Sequence, residues 1–172
     1  MRHAKSSWDN PALGDHDRPL AQRGIRACKL MTAHIRKACI EPDLILCSSA
    51  QRATETYTRI ADAFASKTRI CVEEGLYMRD SQALLIRLQD LDHQISSVMM
   101  IGHNPGMESL ALALSRRVET KSLARMREKY PTLGLACIEI REETWSTVGP
   151  GRGRLLDFIT PRDLKDRREK SL

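Results

Sequence analysis

The stretch LILCSSAQRATETYTRI, residues 44–60, combines the pattern of a buried strand with that of an amphipathic helix. Its first residues are apolar and follow Pro42, which is typical of a short strand buried on both faces. After the Ser-Ser pair, Ala53, Tyr57 and Ile60 recur at intervals of three and four, so an amphipathic helix is predicted. A buried strand that turns directly into a helix is the repeating unit of parallel α/β sheets.

The same alternation recurs along the rest of the chain. An amphipathic helix is predicted over residues 27–38, and helical patterns also follow the next two strands. These further strands share an apolar composition and are predicted at residues 69–72, 98–101, 134–140 and 155–159. The charged stretch over residues 116–129 fits either a helix or a loop. The pattern predicts an α/β fold with three α/β/α layers and a mainly parallel central sheet.

The length of the chain favours one domain. A chain of 172 residues is of the size that usually builds a single core, so residues 1–172 are predicted to form one domain. The terminal stretch RDLKDRREKSL, about residues 162–172, mixes acidic and basic side chains. It is interpreted as a charged, solvated tail, and no function is predicted for it.

Composition narrows the possible partners and the compartment. The net charge is +6, but the charge is spread along the chain and aromatic residues make up only 4%, so nucleic-acid binding is not predicted. No apolar run approaches the roughly 18 to 20 residues that span a membrane, and no signal peptide is visible. The five cysteines form no C-x-x-C pair, which favours reduced thiols and a cytoplasmic location.

Candidate functional residues follow two of the predicted strands. Ligands of open parallel sheets bind at the carboxyl ends of the strands. Arg52 lies in the first turn after one strand, and His103 lies in the turn GHNPGME after the next buried strand. With the free amides of two helix starts, and with Arg2, His3 and Arg18, they would form an anion site. Taken singly, Arg52 also fits a surface arginine, and His103 a turn residue.

Three segments of the sequence together resemble a known family. RHAKSSW at residues 2–8, LILCSSAQRATET at 44–56 and VMMIGHNPGME at 98–108 resemble the signature blocks of the histidine phosphatase superfamily, which shares the phosphoglycerate mutase-like fold. HDRPLAQRG, residues 16–24, resembles the helix entry of its small SixA-type phosphohistidine phosphatase branch. The three blocks and this entry occur in the expected order and span most of the chain.

The resemblance implies roles for particular residues. His3 is expected to be the nucleophile that accepts the phosphoryl group, while Arg2, Arg52 and His103 hold its oxygens. Arg18 matches a further phosphate-binding arginine of the small branch. Asn104 and Ser6, inside the same blocks, are further candidate substrate-binding residues. The candidates for a general acid are Asp80 and Glu74, and each of them also fits a solvated carboxylate.

The resemblance also implies a reaction. Fixed guanidinium groups can stabilise a phosphoryl group in transfer, so neither a metal nor a cofactor is expected. The predicted activity is a metal-independent phosphatase with a phosphohistidine intermediate, acting on phosphohistidine of a partner protein. Two alternatives remain open, namely a phosphatase for a small phosphorylated metabolite and a non-catalytic phosphate-binding regulatory domain.

One feature departs from the family pattern. Family members precede the Arg-His pair with an apolar strand, whereas only Met1 precedes it here. The first strand is therefore expected to be truncated in this sequence, with roughly four to six apolar residues fewer than a buried strand needs.

Overall fold

A computed structural model describes residues 1–116 and 118–169 of the chain. The strands are β1 (Leu44–Ser48), β2 (Arg69–Glu73), β3 (Val98–Ile101), β4 (Leu135–Ile140) and β5 (Gly153–Ile159). The α-helices are α1 (Gln22–Lys37), α2 (Gln51–Ile60), α3 (Ser81–Gln89), α4 (Gly106–Leu114), α5 (Lys121–Glu128) and α6 (Pro161–Glu169). Short 3-10 turns lie at Ala61–Ala63, Glu74–Leu76 and Trp145–Thr147.

The strands form two sheets that the start of the chain connects. β2, β1 and β3 pair in parallel, in that order, and β4 pairs with β5 in antiparallel orientation. Between them, Arg2 bridges in parallel to Gly102 at the end of β3. The Arg2 amide also donates to the Gly134 carbonyl, 3.0 Å away, just before β4. Residues 1–4 therefore lie between the two sheets.

Helices cover both faces of the parallel sheet, which confirms the predicted three-layer α/β/α fold. All five residues of β1 are buried, and their side chains alternate between two apolar clusters. Ile45 and Cys47 belong to the cluster that includes residues of α1, α2 and α6. Leu44 and Leu46 belong to the cluster that includes residues of α3 and α4. Each face of the central strand therefore packs against helices.

Two regions that the sequence left open have defined structure. Within residues 116–129, the structure forms helix α5. The stretch assigned to a charged tail overlaps α6 as far as residue 169, and residues 170–172 lie outside the described range. In the part of the chain that the structure describes, no helix is both long and apolar enough to cross a membrane.

Two helical glycines allow another backbone segment to pack directly against their helices. A Cβ atom on Gly24 in α1 would clash with the Lys5 carbonyl oxygen, and one on Gly106 in α4 would clash with the Arg79 carbonyl oxygen. Both contacts are with backbone atoms, so a side chain at either position would force the two segments apart. Gly24 therefore lets α1 pack directly against the segment that carries His3.

Candidate active site

A cavity of about 300 Å³ opens at the carboxyl ends of β1 and β3, beside residues 1–4. The strand-end positions chosen from the sequence meet here, because parallel strands present their carboxyl ends at one edge of the sheet. The lining residues that the sequence singled out are Arg2, His3, Ser6, Arg18, Arg52, His103 and Asn104. The others described are Lys5, Trp8, Asp15, Tyr77, Met78 and Thr132.

His3 is buried and has a defined tautomer. Its Nδ1 lies 2.7 Å from the Ala4 carbonyl oxygen, which can only accept, so Nδ1 carries the proton. Its Nε2 is then the unprotonated nitrogen, and it accepts a hydrogen bond from Arg52 Nε at 3.2 Å. Burial lowers the pKa of His3 to about 3, and the positive charges around it add to this effect. His3 is therefore neutral at physiological pH, with the lone pair of Nε2 directed towards Arg52.

Arg52 connects the two histidines. Its side chain is 2% exposed, and its Nη2 lies 3.2 Å from His103 Nδ1, which must accept because arginine only donates. The other ring nitrogen, Nε2, then donates to Ser48 Oγ at 2.8 Å. Burial, followed by the charge of Arg52, lowers the pKa of His103 to about 4. Both rings are thus neutral and their orientation is fixed.

A threonine couples the backbone beside His3 to the helix of Arg52. Thr56, one turn along α2, accepts a hydrogen bond from the Ala4 amide at 2.9 Å. Its hydroxyl donates to the Arg52 carbonyl at 2.6 Å. These two bonds fix the backbone next to His3 relative to α2, so the nucleophile candidate and the arginine are held by the same helix.

Several donors around the cavity have no partner. Arg2 Nε and both Nε and Nη1 of Arg18 are buried and make no hydrogen bond with the described residues. Buried donors are nearly always satisfied, so unpaired guanidinium nitrogens indicate a missing acceptor. The Trp8 ring covers Arg18, with the guanidinium carbon 3.5 Å from the ring centroid. The arrangement suits an oxyanion with several acceptor oxygens, such as a phosphoryl group.

Two residues that the sequence did not single out complete the site. The Asp15 carboxylate accepts hydrogen bonds from Arg18 at 2.6 Å, Arg52 at 2.8 Å and the Tyr77 hydroxyl at 2.6 Å. The hydrogen bond from Tyr77 and the charges of Arg52 and Arg18 lower the pKa of Asp15 to about 2. Tyr77 follows β2, so the strand-end rule could have found it. Asp15 lies in an irregular loop and had no such signal.

His16, next to Asp15 in the same loop, contacts residues at the edge of the site. Its Nε2 lies 2.9 Å from Ser49 Oγ, and its ring packs edge-on against Tyr77 at a centroid distance of 4.9 Å. His16 is not one of the described residues that line the cavity. The loop that carries Asp15 is thereby attached to the end of β1.

The two candidate general acids do not line the cavity. Asp80 is exposed and caps the start of α3, where its carboxylate accepts from the Ala83 amide at 2.8 Å. Glu74 is exposed in the turn after β2. Asn104, a candidate substrate-binding residue, does line the cavity, and its buried Oδ1 atom has no hydrogen-bond partner among the described residues. Asp15 is the one acidic side chain among the described residues that line the cavity.

A metal site requires a group of side chains that can act as ligands. Over residues 1–116 and 118–169, no group of three or more histidine, cysteine or carboxylate side chains could hold a metal ion. The cationic groups that face the cavity are the arginines and Lys5. Metal independence of any reaction at this site stays a prediction.

The fold and the site together define a class, an α/β protein with a cavity lined by arginines and neutral histidines. The family model of the histidine phosphatase superfamily (branch 1) matches residues 1–80. An uncharacterised protein of Mycobacterium tuberculosis is 33% identical over 165 residues, which cover 94% of this chain and 100% of the relative. An uncharacterised chloroplastic protein of Arabidopsis thaliana is 29% identical over 172 residues, covering 94% of this chain and 76% of that protein.

Solved structures of phosphohistidine phosphatases are also similar to this chain over most of its length. The candidate phosphohistidine phosphatase SixA of Agrobacterium tumefaciens superposes with a TM-score of 0.78 at 30% identity, covering 94% of this chain and 95% of that one. Protein histidine phosphatase SixA complexed with tungstate gives a TM-score of 0.76 at 25% identity, with coverage of 95% and 96%. The chain belongs to the histidine phosphatase superfamily. The family and these neighbours support a phosphatase.

Proposed function

We propose that this protein is a phosphatase that works through a phosphohistidine on His3 and removes phosphoryl groups from phosphohistidine of a partner protein. One observation carries the proposal. A buried, neutral His3 with an unprotonated Nε2 lines one cavity together with Arg2 and Arg18, whose guanidinium groups keep donors without a partner among the described residues. A nucleophile and the groups that stabilise a phosphoryl group thus share one pocket.

The first step is attack of His3 Nε2 on phosphorus. A P–N bond forms, the bond from phosphorus to the leaving group breaks, and the electron pair departs with the leaving group. Arg52 donates to Nε2 in the resting site, and during attack this donor turns to a phosphoryl oxygen. Arg2 and Arg18 neutralise the remaining oxygens, which carry most of the charge in the transition state.

The second step is hydrolysis of the phosphohistidine. A water molecule attacks phosphorus, the P–N bond breaks, and Nε2 recovers its lone pair as inorganic phosphate forms. The proton stays on Nδ1, which donates it to the Ala4 carbonyl throughout, so the ring returns to the same tautomer. His103 acts by holding Arg52 through its Nδ1 atom, which fixes the guanidinium against both histidines.

The leaving group must depart without a proton from a carboxylic acid of the site. Asp15 is ionised at neutral pH, since its three donors lower its pKa to about 2, and the Tyr77 hydroxyl is committed to it. Asp80 and Glu74 do not line the cavity. A phosphorylated imidazole suits such a site, because its distal nitrogen can take a proton from water and the ring then departs neutral. The similar SixA structures are described as phosphohistidine and protein histidine phosphatases, which supports the same substrate class.

A panel of substrates tests the proposal. Hydrolysis of a histidine-phosphorylated protein should exceed that of alkyl phosphate esters by at least about 100-fold in kcat/KM, the usual contribution of a general acid. Equal rates on both would contradict it and favour a small-metabolite phosphatase. Binding of inorganic phosphate without turnover of any substrate would instead indicate a non-catalytic phosphate-binding domain. Quenching the reaction in alkaline SDS should trap a phosphoenzyme that is stable to base and labile to acid, and His3→Ala should not form it.

A further inference from the structure

A second cavity, of about 490 Å³, adjoins the candidate active site. It lies between the start of α1, the segment before β4 and the start of α6. Arg2, Lys5 and Thr132 line both cavities, so the two cavities are adjacent. We call the second cavity the basic groove, because its charged lining residues are Arg2, Lys5, Arg23, Lys129 and Arg162.

The basic groove has positive charge that none of its described lining residues neutralises. No acidic side chain is among the described residues that line it. Within the described part of the chain, none of its five cationic residues makes an ion pair. Burial, followed by the charges of Arg23, Arg2 and Arg18, lowers the pKa of Lys5. Like charges held this close repel one another and attract an anionic partner.

The shape and composition of the groove favour a protein segment over nucleic acid. The cationic residues come from four separate parts of the chain around one open groove, so successive carboxylates of an extended segment can each meet one. No aromatic side chain is among its described lining residues, so bases would find no stacking platform. Arg23, Lys129 and Arg162 are exposed, which suits a docking surface that attracts its partner through solvent-screened charge.

We propose that the basic groove docks an acidic segment of the partner protein whose phosphorylated residue enters the active site. The proposal rests on the proposed function, since the adjacency of the two cavities, which share three lining residues, is what relates docking to dephosphorylation. It assigns Arg23, Lys129 and Arg162 to partner recognition, which is a role outside the chemistry of the phosphoryl site.

A binding experiment tests the groove independently of turnover. Fluorescence anisotropy measures the affinity of a fluorescein-labelled oligoglutamate peptide, with oligoglutamine of equal length as the neutral probe. The double variant Arg23→Glu with Arg162→Glu should bind oligoglutamate about tenfold or more weakly, the effect expected when two attractive surface charges become repulsive. Lys29→Glu is the matched control, because Lys29 is exposed on the same helix but does not line the groove. Its affinity should stay within about twofold of wild type.

The outcomes separate this proposal from the phosphatase assignment. Because the probe is not phosphorylated, failure of catalysis leaves the binding result intact, and failure of binding leaves acetyl phosphate hydrolysis intact. Oligoglutamate affinity that falls equally in Lys29→Glu and in the double variant would overturn the proposal, as would equal binding of both peptides by wild type. Tighter binding of a single-stranded oligonucleotide of the same charge would overturn it in favour of nucleic acid. Thermal melts confirm that each variant is folded.

Discussion

Replacing Asp15 by asparagine is expected to weaken the fold and strengthen oxyanion binding at the same time. The carboxylate accepts from Arg18, Arg52 and Tyr77 at 2.6 to 2.8 Å. Asparagine keeps the size of the side chain but removes its charge. The arginines then lose an anionic partner, and an incoming phosphoryl group no longer meets a negative charge beside the cavity.

The loss of stability follows from the pKa of Asp15. Its value falls from 3.8 to about 2 on folding, which corresponds to about 2.5 kcal/mol of unfolding free energy at full value. The side chain is 47% exposed, so solvent screening reduces the expected loss to about 1 kcal/mol. The contribution is complete above pH 3.8 and disappears as the pH falls through 2. Urea denaturation should show a constant difference between the proteins near neutral pH and a shrinking one below pH 3.8.

The gain in binding follows from removal of charge repulsion. Two unit negative charges about 4 Å apart repel by about 1 kcal/mol when water screens them, so vanadate should bind Asp15→Asn about fivefold more tightly. Titration calorimetry measures this, and Asp17→Asn, an exposed aspartate of the same loop, is the matched control. Weaker vanadate binding by Asp15→Asn would refute the reasoning, because it would mean that the carboxylate holds the arginines in place for the phosphoryl group.

The remaining predictions concern the nucleophile, the arginine between the histidines, metal dependence and acid stability. His3→Ala should abolish turnover of acetyl phosphate while His103→Ala leaves a trace, and wild-type rates in His3→Ala would exclude the covalent mechanism. Arg52→Ala should lower kcat by about 10² to 10³, as removal of one charge-stabilising donor does; a loss under about fivefold would place Arg52 outside the reaction. Activity should survive EDTA and be inhibited by vanadate, whereas loss in EDTA with rescue by Mg²⁺ would contradict metal independence. The folded protein keeps His3 and His103 neutral, with pKa values of about 3 and about 4 against 6.5, so the unfolded chain binds more protons below pH 6.5. Unfolding free energy should therefore fall with pH below 6.5, by at most about 1.4 kcal/mol per unit for each histidine; constant stability down to pH 5 in urea titrations would show that the rings are not buried neutral.

The sequence alone determined the fold class and most residues that line the site. Apolar runs and helical spacings are local patterns, so they predicted each strand within a residue or two of its observed bounds. The position of Arg52 after β1 and of His103 after β3 followed from the rule that parallel strands end at one edge. The family resemblance added expected roles for His3 and Arg2, whose location between β3 and β4 no local periodicity could reveal.

Only the tertiary structure decided which other groups meet these residues. Asp15 lies in a loop without periodicity, and it reaches Arg52 and Tyr77 only because the chain folds that loop back over the end of β1. The tautomer of His3 depends on the Ala4 carbonyl and Arg52, which lie on opposite sides of its ring. The basic groove likewise combines residues from both ends of the chain. Such contacts depend on three-dimensional proximity between residues far apart in sequence, which local patterns do not encode.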